Sequence, residues 1–135
     1  MFPSRLTIVS LIKQHLHNTM QLLEDPTATM TDMQRAVADI LETDALHQID
    51  MFIYELRSHG IEDPSQLEDM YEGCFPSVEA FSENLIEECY SSEINELPTF
   101  LISAIDYEMV WHQSLQYDYI AIYFDYEYYF FNRNV

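Results

Sequence analysis

Apolar side chains recur at three- and four-residue steps through most of this chain and run together only near its end. Leu6, Val9, Ile12, Leu16 and Met20 follow helical spacing behind Ser4, which can cap a helix, and Glu24-Asp25-Pro26 stops the run. A second, shorter helix is predicted behind Thr31 or Asp32, with Met33, Val37, Ile40 and Leu41 on one side. Thr43-Asp44 opens a third, in which Leu46, Ile49, Ile53 and Leu56 recur until Gly60 supplies the C-terminal cap. Asp63-Pro64 places proline at the first position of a short fourth helix through Tyr71, which Gly73 closes. Ser77 or Pro76 starts a fifth, through about Tyr90, and Leu97-Pro98-Thr99 a sixth, through about Leu115.

From Tyr117 to Phe131 the period changes, and nine of fifteen residues are aromatic. Aromatic and β-branched density of this kind favours strands, so a hairpin with its turn near Asp125 to Glu127 is expected. No glycine eases a type I′ turn there, which leaves the register open. So apolar a hairpin needs its edge covered by a third strand or a partner subunit, and Tyr119, Ile120, Ile122, Tyr128 and Phe130 are its candidate dimer or packing residues. The expected class is α+β, mainly helical with about six helices, ending in an antiparallel β-hairpin or small sheet. The expected organisation is an N-terminal helical segment, residues 1–43, followed by an acidic helical domain with the hairpin, residues 44–135.

The 135 residues fit one domain or two very small ones, and 48% apolar content is enough to build a core. The charge alters the picture most. Twenty-four acidic residues against five basic ones leave −19, where roughly −8 already suffices for the solubility of a small domain. Residues 1–23 hold no Asp or Glu, while residues 58–132 hold sixteen carboxylates and no Lys or Arg. Nucleic-acid binding runs on Lys and Arg displacing counterions, so direct DNA or RNA binding is excluded as a main activity. The run Leu6 to Ile12 is short and is followed by Lys13, Gln14, His15 and His17 rather than a cleavage site, so no export signal is expected. No stretch reaches the roughly 18 apolar residues that span a bilayer, and Cys74 and Cys89 are too few for a disulfide framework. A cytoplasmic protein without membrane contact is the expectation.

Chemistry finds few footholds. With Gly60 and Gly73 as the two glycines, no phosphate-binding loop, dinucleotide fingerprint or calcium loop can be written. His15 and His17 point to different faces of their helix, and no Cys-x-x-Cys or His-Glu-x-x-His pattern occurs, so no metal or cofactor is expected. Cys89 with His112 is formally a nucleophile and base, but Cys89 falls on an apolar helix face and reads as a core cysteine. Pairs such as Glu87-Glu88 or Asp106-Glu108 do not stand out among two dozen carboxylates, so the chain is not expected to be an enzyme.

The acids themselves are ordered. At about 100° per residue, Val78, Phe81, Leu85 and Cys89 share one sector of the fifth helix, and Glu79, Glu83 and Glu87 form a stripe opposite. Like charges four apart cost a helix about 0.2–0.5 kcal/mol per pair, with no cation here to relieve them. Glu62, Asp63, Glu68, Asp69 and Glu72 form a group before this helix, and Glu93 and Glu96 a group after it. The stripe spaces its charges roughly 6 Å apart, against one phosphate per roughly 3.4 Å of a DNA strand, so several helices together are needed to approach the charge density of a duplex.

From about Asp44 onward the order of motifs resembles the C-terminal part of the ArdA antirestriction family, which imitates bent duplex DNA. The matching pieces are Ile53-Tyr54-Glu55, Gly60-Ile61-Glu62-Asp63, Tyr71-Glu72-Gly73, Ser77-Val78-Glu79-Ala80-Phe81, Glu87-Glu88-Cys89-Tyr90, Leu97-Pro98, Ile105-Asp106-Tyr107-Glu108 and Tyr128-Tyr129-Phe130-Phe131. Met33-Gln34-Arg35-Ala36-Val37 and Ser58-His59-Gly60-Ile61-Glu62 are similar in pattern to the phage DNA mimic Ocr. The chain departs from ArdA in its helical, nearly acid-free start and in Met109-Val110-Trp111-His112-Gln113-Ser114-Leu115, where the family carries Ala-Arg-Asp-Leu.

The resemblance implies a homodimeric DNA mimic from a phage, plasmid or other mobile element. Its partner would be a type I restriction-modification enzyme, whose specificity and methyltransferase subunits form the DNA groove. Glu62, Asp63, Glu68, Asp69, Glu72, Glu79, Glu83, Glu87 and Glu88 would stand in for phosphates, with Glu93 and Glu96 extending the set. Two other expectations stay open: a mimic aimed at a different nucleic-acid-gripping defence complex, such as a CRISPR effector, and an acidic adaptor that binds through the aromatic hairpin.

Overall fold

A computed structural model describes residues 29–135; the helix expected between Ser4 and Glu24, and with it much of the 1–43 segment, lies outside them. The class is α+β: among the described residues, seven α-helices accompany one three-stranded antiparallel sheet. Two compact units meet in sequence between Glu68 and Asp69, a division later in the chain than position 43.

In the first unit, α1 (Asp32–Leu41) packs on α2 (Leu46–Ser58). Thr31 caps α1 with a capping box: its hydroxyl accepts from the Gln34 amide at 3.1 Å, and the Gln34 side chain accepts from the Thr31 amide at 2.9 Å. The same Gln34 donates to Asp50 at 2.9 Å, tying α1 to α2. Apolar spacing then buries Met33 and Val37 on α1 and Ile49, Phe52, Ile53 and Leu56 on α2. The last turn of α2 closes as a Schellman motif. Gly60, at φ +83°, donates to Arg57, and Ile61 donates back to Leu56. Helix α3 (Pro64–Met70) begins with Pro64 behind Asp63, whose carboxylate accepts from the Gln66 amide at 2.8 Å.

The second unit is organised by its sheet, in the order β1 (Tyr71–Phe75), β3 (Glu127–Asn132), β2 (Tyr119–Phe124). The aromatic tail forms the expected hairpin, with Phe124 opposite Glu127 and a two-residue turn at Asp125-Tyr126. Both turn residues have positive φ, +51° and +69°, the hand that matches strand twist in a type I′ connection but that asparagine and glycine adopt at least cost.

Strand β1 corrects the sequence reading, which carried the preceding helix through Tyr71. The helix stops at Met70 and Tyr71 enters the sheet, its strand pairing with β3, a long-range partner that the local sequence pattern does not announce. Gly73 does not cap that helix; at φ +137° it follows a bulge at which Tyr71 and Gly73 pair with the consecutive residues Phe131 and Phe130, leaving Glu72 as the extra residue. A Cβ at Gly73 would sit 3.1 Å from the Phe75 ring. The β3 edge of the hairpin is thus covered by a third strand from the same chain, and β2 is an outer strand.

Ser77 caps α4 (Val78–Cys89), its hydroxyl accepting from the Ala80 amide at 3.0 Å, and a short α5 (Ser91–Asn95) follows. The single helix expected from Leu97 to Leu115 is broken into α6 (Thr99–Ile102), α7 (Tyr107–Gln113) and a 3-10 turn, Leu115–Tyr117. The break has a local cause: Asp106 acts as a fresh N-cap, its carboxylate accepting from the Met109 amide at 3.0 Å. Another correction concerns Cys89, expected in the core: as the last residue of α4 it is exposed.

The strained turn generates a prediction. Left-handed backbone at a non-glycine residue costs roughly 1–2 kcal/mol, partly offset by the greater unfolded-state entropy of glycine. Tyr126→Gly should therefore stabilise the protein by up to about 1 kcal/mol, a rise of a few degrees in Tm by calorimetry. A loss of stability would show that the tyrosine ring holds the turn.

Candidate functional site

In the second unit the sheet positions the acids through an aromatic cluster. Phe81 of α4 stacks on Phe130 of the central strand with ring centroids 4.0 Å apart and planes 4° from parallel. Trp111 of α7 meets both rings edge-on, at 6.0 Å from Phe81 and 5.5 Å from Phe130. Phe75 and Tyr119, from the two outer strands, add edge contacts to Phe81. With Phe81 and Ser82 buried, the opposite side of α4 is committed to solvent, and Glu79, Glu83 and Glu87 lie exposed along it.

A second helix reaches the same area. Tyr107, at the start of α7, has its hydroxyl pKa pushed upward by burial first and then by the charges of Glu83 and Glu87. Tyr107 thus brings the start of α7 beside the α4 stripe; Asp106 and Glu108, its neighbours in the chain, are both exposed. A comparable grouping surrounds Tyr119, also raised by burial first and then by Glu72, Cys89, Asp118 and Tyr90. Tyr119 and Cys89 border a shallow cavity of about 220 Å³ between the end of α4 and the start of β2.

Residues 69–135 hold thirteen carboxylates and a single cation, Arg133. Arg35 pairs with Asp32 at 2.8 Å in the first unit. Glu72, Glu79, Glu83, Glu87, Glu88, Glu93 and Glu96 are all exposed and bonded to no donor side chain. Position along the helix adds to the cost. Glu79 lies in the first turn of α4, where the helix dipole favours an anion, but Glu87 and Glu88 lie in the last turn, where it opposes one, and no basic residue is present there.

Of the acids singled out from the sequence, Asp69, Glu72, Glu79, Glu83, Glu87, Glu88, Glu93 and Glu96 belong to the second unit; Glu62, Asp63 and Glu68 belong to the first. All eleven are exposed, and Asp63 also serves as the cap of α3. The candidate dimer residues are engaged in the fold itself: Ile120, Ile122 and Phe130 are buried, and Tyr119 and Tyr128 are half-buried. The sequence reading missed Tyr107 and Asp118 as members of the acidic neighbourhoods. Asp106, with helical spacing from Tyr107 to Trp111 behind it, was the available sign of a new helix start.

Among the described residues, no group of three or more His, Cys, Asp or Glu is placed to hold a metal ion, and no helix is long and apolar enough to cross a membrane. What the surface offers is unneutralised negative charge on a rigid frame, suited to a partner that brings cations. No family model, curated protein or solved structure matches this chain.

Tyr107, Tyr119 and Tyr129 all have raised pKa values, with burial the leading cause and Cys74 beside Tyr129 adding to it. The folded state therefore holds protons that the unfolded chain releases at about pH 10, so this stabilisation is complete below that pH and is lost as pH rises further. Absorbance at 295 nm should lag a free-tyrosine titration and complete its rise with unfolding seen by circular dichroism; a curve matching free tyrosine throughout would contradict the burial. Separately, Glu88→Lys should stabilise α4 by a few tenths of a kcal/mol through the dipole and relief of repulsion. The gain in Tm should shrink as salt is raised.

Proposed function

We propose that this chain is a stoichiometric, non-catalytic DNA mimic that occupies the DNA-binding groove of a type I restriction-modification enzyme, between its specificity and methyltransferase subunits. The observation that carries this reading is the unpaired carboxylate stripe of α4, exposed along the helix and held in place by the Phe81–Phe130 stack. A groove lined with Lys and Arg gains by releasing the counterions such a surface collects, as it does on binding DNA phosphates. The placement of Glu87 and Glu88 against the α4 dipole supports selection for charge at a position where stability alone favours a cation. The motif order shared with the ArdA family points to the same class of partner. In this reading the protein acts as a homodimer in the bacterial cytoplasm, without metal or cofactor, and originates from a mobile element.

The test is titration of the purified protein into a type I restriction and methylation assay. Inhibition should saturate near a fixed molar ratio and weaken steeply with salt, because the attraction acts between separated charges. Glu79→Lys, Glu83→Lys and Glu87→Lys combined should abolish it while leaving the circular dichroism spectrum intact. Undiminished restriction at molar excess of the wild-type protein would defeat the reading, and capture of a different nucleic-acid-gripping complex would redirect it.

A further inference from the structure

The tip of the β2–β3 hairpin spends conformational energy on a residue that nothing in the fold uses. Tyr126 occupies the second turn position at φ +69°, and Asp125 precedes it at φ +51°. The residue is 85% exposed, and among the described residues its ring takes part in no ring contact or hydrogen bond. Backbone strain at a surface position is retained when the side chain it presents is worth more than the stability it forfeits. The mount is stiff. Strand β3 is paired on both sides, and just below the tip the rings of Tyr123 and Tyr128 lie 4.8 Å apart across the strands. The chain on either side of the ring contributes an exposed carboxylate, Asp125 and Glu127. A flat ring with a hydrogen-bonding group at its far edge, between two anions on a backbone, has the chemical outline of a nucleotide with its flanking phosphates.

We propose that Asp125-Tyr126-Glu127 is a nucleotide-like tip, with the Tyr126 ring entering a base-accepting pocket that opens from the basic groove of the partner. Enzymes that modify a base must draw it out of the duplex into a flat, largely apolar pocket with a polar edge, and such pockets accept rings by stacking. The proposal rests on the DNA-mimic reading and deepens it: the α4 carboxylates supply long-range attraction, and the tip supplies a specific anchor.

The experiment compares wild type, Tyr126→Gly, Tyr126→Phe and the triple α4 reversal as competitors of DNA for a purified type I restriction-modification enzyme, each first checked for stability. Tyr126→Gly should fold at least as stably as wild type yet compete about ten- to hundred-fold more weakly, while Tyr126→Phe keeps most of the affinity. The fluorescence of Tyr126→Trp should shift to the blue on binding as its indole leaves water. If Tyr126→Gly competes as well as wild type while the triple reversal does not compete, the tip proposal falls and the mimic reading stands. If wild type itself does not compete, both fall.

Discussion

The face-to-face contact between Phe81 and Phe130 is the constraint on which the second unit depends. It joins a helix to the central strand of the sheet, so one apolar contact orients α4 relative to β1, β3 and β2 together. Trp111 closes against the same two rings and brings in α7. The inward-facing sector of α4 is thereby spent, and its acids have nowhere to go but outward. Surface charge here is a consequence of core geometry, and a helix less firmly seated would let its carboxylates spread apart.

What was legible in the sequence were the features encoded by neighbours in the chain. The cap at Thr31, the glycine stop after α2, Pro64 behind Asp63 and the Ser77 cap are each written in a few adjacent residues, and each stands at its expected place. The aromatic density of the tail is equally local, and it placed the turn near Asp125 to Glu127, where Asp125-Tyr126 forms it. Strand β1 was illegible because Tyr71-Glu72-Gly73-Cys74-Phe75 becomes a strand only by pairing with residues more than fifty positions later. The break before α7 was missed because the apolar spacing on both sides of Asp106 reads as continuous. Of the candidate site, solvent exposure of the acids followed from the helical period of α4. Their company did not: Tyr107 comes from another helix, and only packing places it beside Glu83 and Glu87.

Two departures from the most stable choice lie in this unit, and both are exposed. Carboxylates end α4 where the dipole asks for a cation, and a tyrosine occupies a turn position suited to glycine. By contrast, the buried polar atoms are orderly: among the described residues, no buried side-chain nitrogen or oxygen lacks a partner, and Ser82, inside the core, returns its hydroxyl to the Val78 carbonyl at 2.8 Å. A core that follows the rules beneath a surface that breaks them is the pattern left when the surface answers to something other than folding.

The strand order has one more consequence, in the time domain. The central strand, β3, is the last of the three to be synthesised, so β1 leaves the ribosome with no strand partner and Phe81 without the Phe130 ring on which it stacks. At about 5–20 residues per second, the interval lasts seconds, during which aromatic segments are open to other nascent chains. Residues 76–132, which emerge in that interval, carry eleven carboxylates and no Lys or Arg, so mutual repulsion keeps the unfinished unit dispersed until its final strand arrives.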